Sequence, residues 1–567
     1  MRHFSRTQLA LLGYFGLWIV YFALFWARAL YYDERGNLIA GHVNIWGDWA
    51  AHFTMGTYAA NHGLALSQSP FLINTTFSYP FVADWVSGWL LMQGVDLLSA
   101  FIVPSFLVSI GTVVALYVFY FQVFKKTSLA LLSSVIFLFN GGVGFIYFLQ
   151  DVVNSTHPWV TLFNPAHEYT RLDVQQLKWI SVIDSMIIPQ RAFAFGFPLT
   201  LTALALVLSA LHSKSSSLKM MLGAGIILGL MPIIHTHSFL AAAIILGLWM
   251  VGDVVGHRKN IKELLLKWLV LGTTTLLIAL PLWLQFFSEQ VGGFIKWYPG
   301  WLAKEYGVNW IIFWIKNWGL TLGVAAVGLG MWHHRTVHQT HLMKWLFAPF
   351  VVIFILANLF LFQPFAWDNT KLISWASVGI SAGAAYCLYT LWHKRLRFRL
   401  WPSRFKVVAV ILFVVTVASG ALDAYWIVRT DLHSFQMYSA EELALAEWVK
   451  MSTPADAVWL TGDQHNHFLF NLTGRRTLLT YRGWLWTHGY EYRPVEADAL
   501  SFFNNPLQPE LQQKYNIRYA VVGPNEREVW KANVQAFNSF LLIKETAKYR
   551  IYELPTAATA TPSATTR

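Results

Sequence analysis

The stretch Tyr31-Tyr32-Asp33-Glu34-Arg35-Gly36-Asn37, continued by Gly47-Asp48-Trp49-Ala50-Ala51-His52-Phe53, decides how the rest of the chain is read. It follows directly on an apolar segment at 8–30 and carries ionisable groups where a membrane chain ordinarily has a short turn. Asp48 and His52 fall four apart, so a helix places them on one face, with Trp49 and Phe53 on an adjacent apolar face able to lie on a bilayer. A carboxylate beside an imidazole can act as a general base or hold a divalent metal ion. The bland alternative is an interfacial helix whose Asp48 and His52 face water. Asp33 and Glu34 compete for the same role, against a solvated turn ending in Gly36-Asn37.

Composition sets the class around this stretch. The 567 residues are 56% hydrophobic, 16% aromatic and only 12% charged, which excludes a soluble globule with an ordinary polar surface. At about 20 apolar residues per span, about eleven transmembrane helices are predicted, near 8–30, 98–123, 128–149, 192–212, 219–235, 238–255, 266–287, 309–331, 344–363, 372–392 and 406–428. A formal charge of +12 invites a nucleic-acid reading, but the basic residues gather in alternate loops instead. The groups are Arg2 and Arg6, Lys125-Lys126, Lys214 to Lys219, His257-Arg258-Lys259, His333-His334-Arg335 with Lys344, and Lys394 through Lys406. The positive-inside rule then places the N-terminus in the cytoplasm and the C-terminal region outside.

The domain reading follows from these spans. Residues 1–30 form the first transmembrane helix, kept as a signal-anchor because its apolar run is too long for a cleaved signal despite Ala27-Arg28-Ala29. Residues 31–97 form a first external loop with surface helices, and 98–428 the remaining bundle. Residues 429–554 form an extracytoplasmic α/β domain, since no segment there can span a bilayer. In it, Ser439 with Glu441-Glu442 opens a helix through Trp448 and Val449, while Ala457–Leu460, Tyr519–Val522 and Leu541–Ile543 read as strands. The Thr/Ala/Pro-rich tail 555–567 is expected to be disordered. The single cysteine, Cys387, excludes an intramolecular disulfide and any Cys-based metal cluster.

Further candidates lie in the other external segments. Asp84, in Ser78-Tyr79-Pro80-Phe81-Val82-Ala83-Asp84-Trp85, either favours the positive end of a helix or binds substrate. The segment Asp151 to Arg191 holds His157, His167, Glu168, Arg171, Asp173, Lys178 and Asp184, and loops of this length are more often functional than filler. Arg191 at the mouth of a span can hold a lipid phosphate bidentately or serve as an interfacial anchor. His235-Thr236-His237 joins two spans so tightly that both imidazoles sit at a depth where polar groups are costly unless used or paired. In Trp367-Asp368-Asn369-Thr370-Lys371, Asp368 and Lys371 either neutralise each other or Lys371 meets a phosphate that Asp368 helps orient. Asp463, His465, Asn466 and His467 form a polar cluster after a strand, read as acceptor recognition or as a structured loop end.

Taken together, these residues resemble multi-spanning glycosyltransferases of the GT-C superfamily, which take sugars from polyprenyl-phosphate or related lipid carriers. The Asp33-Glu34 pair is similar in type and position to one carried by protein O-mannosyltransferases. The resemblance implies a polytopic α-helical membrane fold with a C-terminal external domain, and Asp48 as catalytic base, with Asp33 or Glu34 as second choice. His52 then orients Asp48 or shares a metal with it; Arg191, Lys371 and His235 contact the lipid phosphate, and Asp84, His237 and Asp368 join the binding set. The implied reaction is inverting transfer to an acceptor hydroxyl of a protein, lipid or glycan on the outer membrane face, with no nucleic acid involved and a divalent metal ion as the one cofactor in view. The Trp-Trp-Asp-Tyr-Gly motif of oligosaccharyltransferases is absent, and Gly483-Trp484-Leu485-Trp486-Thr487-His488-Gly489 is a loose echo, which disfavours transfer to asparagine. Two readings from other classes stay open: a transporter or flippase, for which the break at Gly141-Gly142 would speak, and a non-catalytic assembly protein of the cell envelope.

Overall fold

A computed structural model of the chain describes residues 5–64, 68–212, 217–256, 261–287, 295–336, 339–393 and 402–555. Arg2, Lys214, His257 to Lys259, Lys394 to Arg399 and the tail 556–567, which entered the charge and disorder arguments, lie outside these. The chain divides into two units: a bundle unit of Met1–Ala29, Ser105–Gln285 and Gly293–His433, and a mixed unit of Leu30–Pro104, Phe286–Gly292 and Ser434–Arg567. The mixed unit therefore combines the first loop with the C-terminal segment.

The bundle unit contains α1 (Arg6–Ala29), the larger part of α4 (Leu97–Phe124), α5 (Thr127–Phe139), α6 (Gly144–Asn154), α7 (Pro158–Phe163) and α8 (Arg191–His212). It continues with α9 (Ser217–Ile234), α10 (Thr236–Gly256), α11 (Ile261–Phe287), α12 (Leu302–Glu305), α13 (Trp310–Trp318) and α14 (Thr321–Arg335). It ends with α15 (His341–Lys344), α16 (Ala348–Leu359), α17 (Thr370–His393) and α18 (Pro402–Val428), and a two-stranded pairing joins β3 (Lys296–Trp297) to β4 (Phe360–Leu361). Helix α17 is the axis of this unit, buried along almost its whole length and packed on α5, α14, α16 and α18. Small residues permit that approach: a Cβ at Gly383 would meet Leu329 Cγ at 2.8 Å, and one at Gly379 would meet Phe350 Cβ at 2.5 Å.

Eight helices among the described residues are long and apolar enough to cross a membrane, or up to ten if each of two bent pairs counts as one span. The expectation of about eleven is corrected accordingly. The predicted span 128–149 is the pair α5 and α6, bent by 62°, and 309–331 is the pair α13 and α14, bent by 89°. The predicted 344–363 shrinks to the 12 residues of α16, about 18 Å of helix against a hydrocarbon core of about 30 Å. The two breaks face each other: Val143 N–H donates to Lys316 C=O at 2.9 Å and Thr321 Oγ1 to Asn140 Oδ1 at 3.1 Å. A Cβ on Gly142 would lie 1.7 Å from the Lys316 carbonyl oxygen, so glycine is required there.

The mixed unit opens on a hairpin of β1 (Leu30–Tyr32) and β2 (Leu38–Ala40), to which β5 (Phe435–Tyr438) adds a third strand. Helices α2 (Val43–His62) and α3 (Val82–Met92) pack through Gly88, where a Cβ would meet Ala59 Cβ at 2.8 Å. A five-stranded sheet, ordered β7 (Arg476–Thr477), β6 (Val458–Leu460), β8 (Ile517–Val522), β10 (Arg550–Glu553), β9 (Leu541–Glu545), is parallel at β7-β6-β8 and antiparallel beyond. Around it lie α19 (Ala440–Ser452), α20 (Phe468–Thr473), α21 (Arg482–Thr487), α22 (Arg493–Asn504), α23 (Pro509–Tyr515), α24 (Pro524–Glu528) and α25 (Val534–Phe537). Ser439 and Glu442 close a reciprocal capping box at the start of α19, which is why that helix begins where the Ser-x-x-Glu pattern predicts.

Candidate active site

In the mixed unit, the turn between β1 and β2 is organised by Asp33. Its Oδ1 accepts from the backbone N–H groups of Arg35 (2.9 Å) and Asn37 (2.8 Å), and its Oδ2 from Asn37 Nδ2 (2.9 Å). The Asn37 side chain foremost holds the Asp33 carboxyl below its usual range, with the backbone donors adding to it. Glu34 is exposed at the tip of the same turn. Asp33 thus closes the hairpin turn, as an Asx-type turn does.

Asp48 is half-buried in the second turn of α2, while Trp49 and Phe53 are fully buried and pack on Phe101 at centroid distances of 6.2 and 4.9 Å. The expectation that these aromatics lie on a bilayer surface is corrected: they form core. His52 does not orient Asp48 either. Its Nδ1 meets Asp84 Oδ2 at 3.0 Å, with both residues buried, so the imidazole ties α2 to α3. Asp84, placed by sequence at a helix start, is in the first turn of α3 and faces His52.

The neighbour of Asp48 comes from the C-terminal segment. His465 Nε2 donates to the carbonyl of Gly47 at 2.7 Å, and Nδ1 lies 2.7 Å from the side-chain oxygen of Asn466. Its ring stacks on Trp46 with centroids 5.3 Å apart and planes at 23°. Burial lowers the His465 pKa, opposed by its bonds to Asn466 and Gly47 and by the negative charge of Asp48. The rest of that polar cluster is structural. Asp463 accepts from Arg482 Nε (2.5 Å) and Trp530 Nε1 (2.9 Å), while His467 caps α20 and contacts Glu526 at 3.1 Å. Helix α2 is clamped by Asn471, whose Nδ2 donates to Ala50 C=O (2.9 Å) and Thr54 Oγ1 (2.8 Å).

The bundle unit holds the residues expected to contact a lipid phosphate. His235, between α9 and α10, and His237, in the first turn of α10, are buried with ring centroids 5.6 Å apart. His235 Nδ1 pairs with Ser238 Oγ at 2.7 Å, and its buried Nε2 has no hydrogen-bond partner among the described residues. Lys371, 7% exposed, forms an ion pair with Asp368 at 2.9 Å and lies close enough for its charge to act on both imidazoles. Arg191, 1% exposed, begins α8, whose Phe193 ring stands edge-on to His235 at 5.4 Å. Arg191, His235, His237, Asp368 and Lys371, singled out from the sequence, thus fall in one unit from three distant segments.

The long loop preceding α8 divides in its roles. His157 and His167 are exposed, and Asp173 pairs with Lys178 at 2.7 Å and accepts from Tyr306 Oη at 2.9 Å. Glu168 and Asp184 are buried with carboxylate oxygens within 4.8 Å of each other, a spacing that a proton or a cation would stabilise. Burial raises the Glu168 pKa, countered foremost by Arg171. Asp423, in α18, was missed by sequence; it is fully buried and accepts from the Thr170 backbone and hydroxyl. A carboxylate inside the last apolar segment was the available signal.

No family model matches the sequence, and no curated protein does. Solved structures do match the fold. The Archaeoglobus fulgidus oligosaccharyltransferase, tethered with an acceptor peptide containing the NVT sequon, aligns over 94% of this chain and 72% of its own at TM-score 0.55 and 11% identity. The same organism's oligosaccharyltransferase AglB, with an inhibitory peptide and a dolichol-phosphate, aligns over 97% and 75% at TM-score 0.54 and 11% identity. ArnT from Cupriavidus metallidurans in the apo state aligns over 98% of this chain and 100% of its own, at TM-score 0.52 and 11% identity.

The chain shares its fold with these oligosaccharyltransferase and ArnT structures. Both neighbours are membrane glycosyltransferases of the GT-C superfamily. In this chain the acid of the first loop that stands beside a C-terminal histidine is Asp48, and the buried Arg191, His235 and Lys371 stand at the ends of α8, α9 and α17.

Proposed function

We propose that the protein is a membrane glycosyltransferase that moves a sugar from a polyprenyl-phosphate donor to an acceptor hydroxyl at the extracytoplasmic face, with the N-terminus cytoplasmic. The observation that carries this reading is the buried ammonium of Lys371 close to the imidazoles of His235 and His237, in a chain that shares the fold of solved oligosaccharyltransferases. Buried cations persist where they are paired or used, and a lipid phosphate matches their charge and donors. The dolichol-phosphate of the AglB structure supports the ligand class.

In this scheme the acceptor oxygen attacks the anomeric carbon and the bond from that carbon to the phosphate oxygen breaks. The acceptor proton passes to the Asp48 carboxylate, and the electron pair of the broken bond leaves with the lipid phosphate. The charge that develops on the departing phosphate calls for a cation to stabilise it. Configuration inverts because attack and departure occur on opposite faces of the sugar.

The test uses the full chain in lipid nanodiscs with a panel of undecaprenyl- and dolichol-phosphate monosaccharides. Transfer by the wild type that falls at least ~10³-fold in Asp48→Asn, with an unchanged elution profile, is the expected result. Unchanged transfer in Asp48→Asn removes the base, and a wild type inert to every donor removes the reading. Chelation followed by Mg2+ or Mn2+ readdition in the same assay decides whether a metal belongs in the scheme.

A further inference from the structure

We propose that His465 is a positioning residue for Asp48, so that the C-terminal segment supplies part of the catalytic geometry. The inference rests on the reading of Asp48 as base. Three observations in the mixed unit carry it. First, Gly47 directly precedes Asp48 inside α2, and nothing lies within 4 Å of where its Cβ would be, so the packing there does not demand a glycine. A glycine in a helix interior is about 1 kcal/mol worse than alanine and softens the turn that aims the next side chain. Second, His465 holds that soft point from outside the helix, donating from Nε2 to the Gly47 carbonyl at 2.7 Å and stacking on Trp46 at 5.3 Å. Trp46 is itself fixed, its Nε1 donating to the Gln436 carbonyl at 3.1 Å. Third, the ring is held by its own surroundings, with Tyr481 and Trp484 centroids at 5.0 and 5.1 Å and the Asn466 amide at 2.7 Å.

The grip needs a proton on Nε2, because the Gly47 carbonyl oxygen can only accept. The two residues before Asp48 are thus pinned by one side chain through a directional bond and a stack. A carboxylate that must sit within hydrogen-bond reach of an acceptor hydroxyl gains from such fixing, since a displacement of about 1 Å can cost about 100-fold in rate.

The experiment compares wild type, Asp48→Asn, His465→Phe and His465→Gln in the nanodisc assay, and follows amide exchange across residues 45–51. His465→Phe keeps an aromatic stack and removes the donor; kcat is expected to fall ~10- to 100-fold with KM for the lipid donor within ~2-fold, and exchange in 45–51 to quicken. His465→Gln restores an N–H donor and is expected to recover kcat to within ~5-fold of wild type. Wild-type kcat in His465→Phe overturns the proposal, as does equal loss in both variants or unchanged exchange in 45–51. Asp48→Asn with full activity, or an inert wild type, overturns the underlying reading instead. In either of those cases the exchange arm still decides whether His465 holds the turn.

Discussion

At the scale of single residues, the partner of His52 separates structural from chemical polarity. A spacing of four places Asp48 and His52 on one helical face, but spacing says nothing of a third residue brought in by another helix. Asp84, 32 residues on in the chain, takes the imidazole at 3.0 Å in a site where His52 is 6% and Asp84 2% exposed. Removing one member of a buried pair leaves the other desolvated. His52→Ala is therefore expected to lower stability by ~3 kcal/mol, read from chemical denaturation followed by tryptophan fluorescence. Unchanged stability would show that the pair is not what ties α2 to α3. For Asp33, the Asx pattern was already legible in Asp33-Glu34-Arg35-Gly36-Asn37, and the bonds from Arg35 and Asn37 bear out the structural side of that alternative. His465 was legible as a polar residue after a strand; that it would meet Gly47 was not, because the two are 418 positions apart.

At the scale of elements, period and length told most of the helices and strands. The Ser439 capping box, the strands at 458–460 and 517–522 and the long spans all fall near where apolar patterning put them. The errors sit where tertiary contact overrides length. The helices around Gly142 and Gly319 break because each backbone closes on the other, and neither partner can be read from its own segment. Gly474, which ends α20, shows the same dependence: its φ is +65° and a Cβ would lie 2.3 Å from the Thr57 carbonyl oxygen. Gly474→Ala should lose ~2 kcal/mol or more, combining backbone strain with a backbone clash. Gly94→Ala, with φ +81° and open space around the Cβ, should lose only the strain, ~1 kcal/mol. Equal losses at the two sites in thermal unfolding would show that the contact with Thr57 adds nothing.

At the scale of the whole molecule, buried histidines give the mixed unit an acid limit. Burial lowers the pKa of His62, with the Gly474 carbonyl opposing and the charges of Arg476 and Arg475 assisting, and burial lowers that of His465. Below about pH 6.5 the unfolded chain binds protons at these positions while the folded unit resists them, so stability falls as pH drops. The unfolding midpoint is expected to be level above about pH 7.5 and to decline between about 6.5 and 5.5, with His465→Gln removing part of the decline. A midpoint that rises over this range would contradict the sign. The multi-spanning helical architecture was legible because composition and apolar run length are whole-chain properties, and the fold is shared with solved structures at only 11% identity.

The clamp of Asn471 on Ala50 also has a meaning in time. The two residues are 421 positions apart, and a ribosome adding about 5 to 20 residues per second needs roughly 20 to 80 s to make the second after the first. For that interval α2, with Trp49 and Phe53 destined for burial, exists without the segment that secures it. Synthesis of this protein therefore includes a waiting period for its first loop, during which the Ala50 carbonyl and the Thr54 hydroxyl lack the amide that later clamps them.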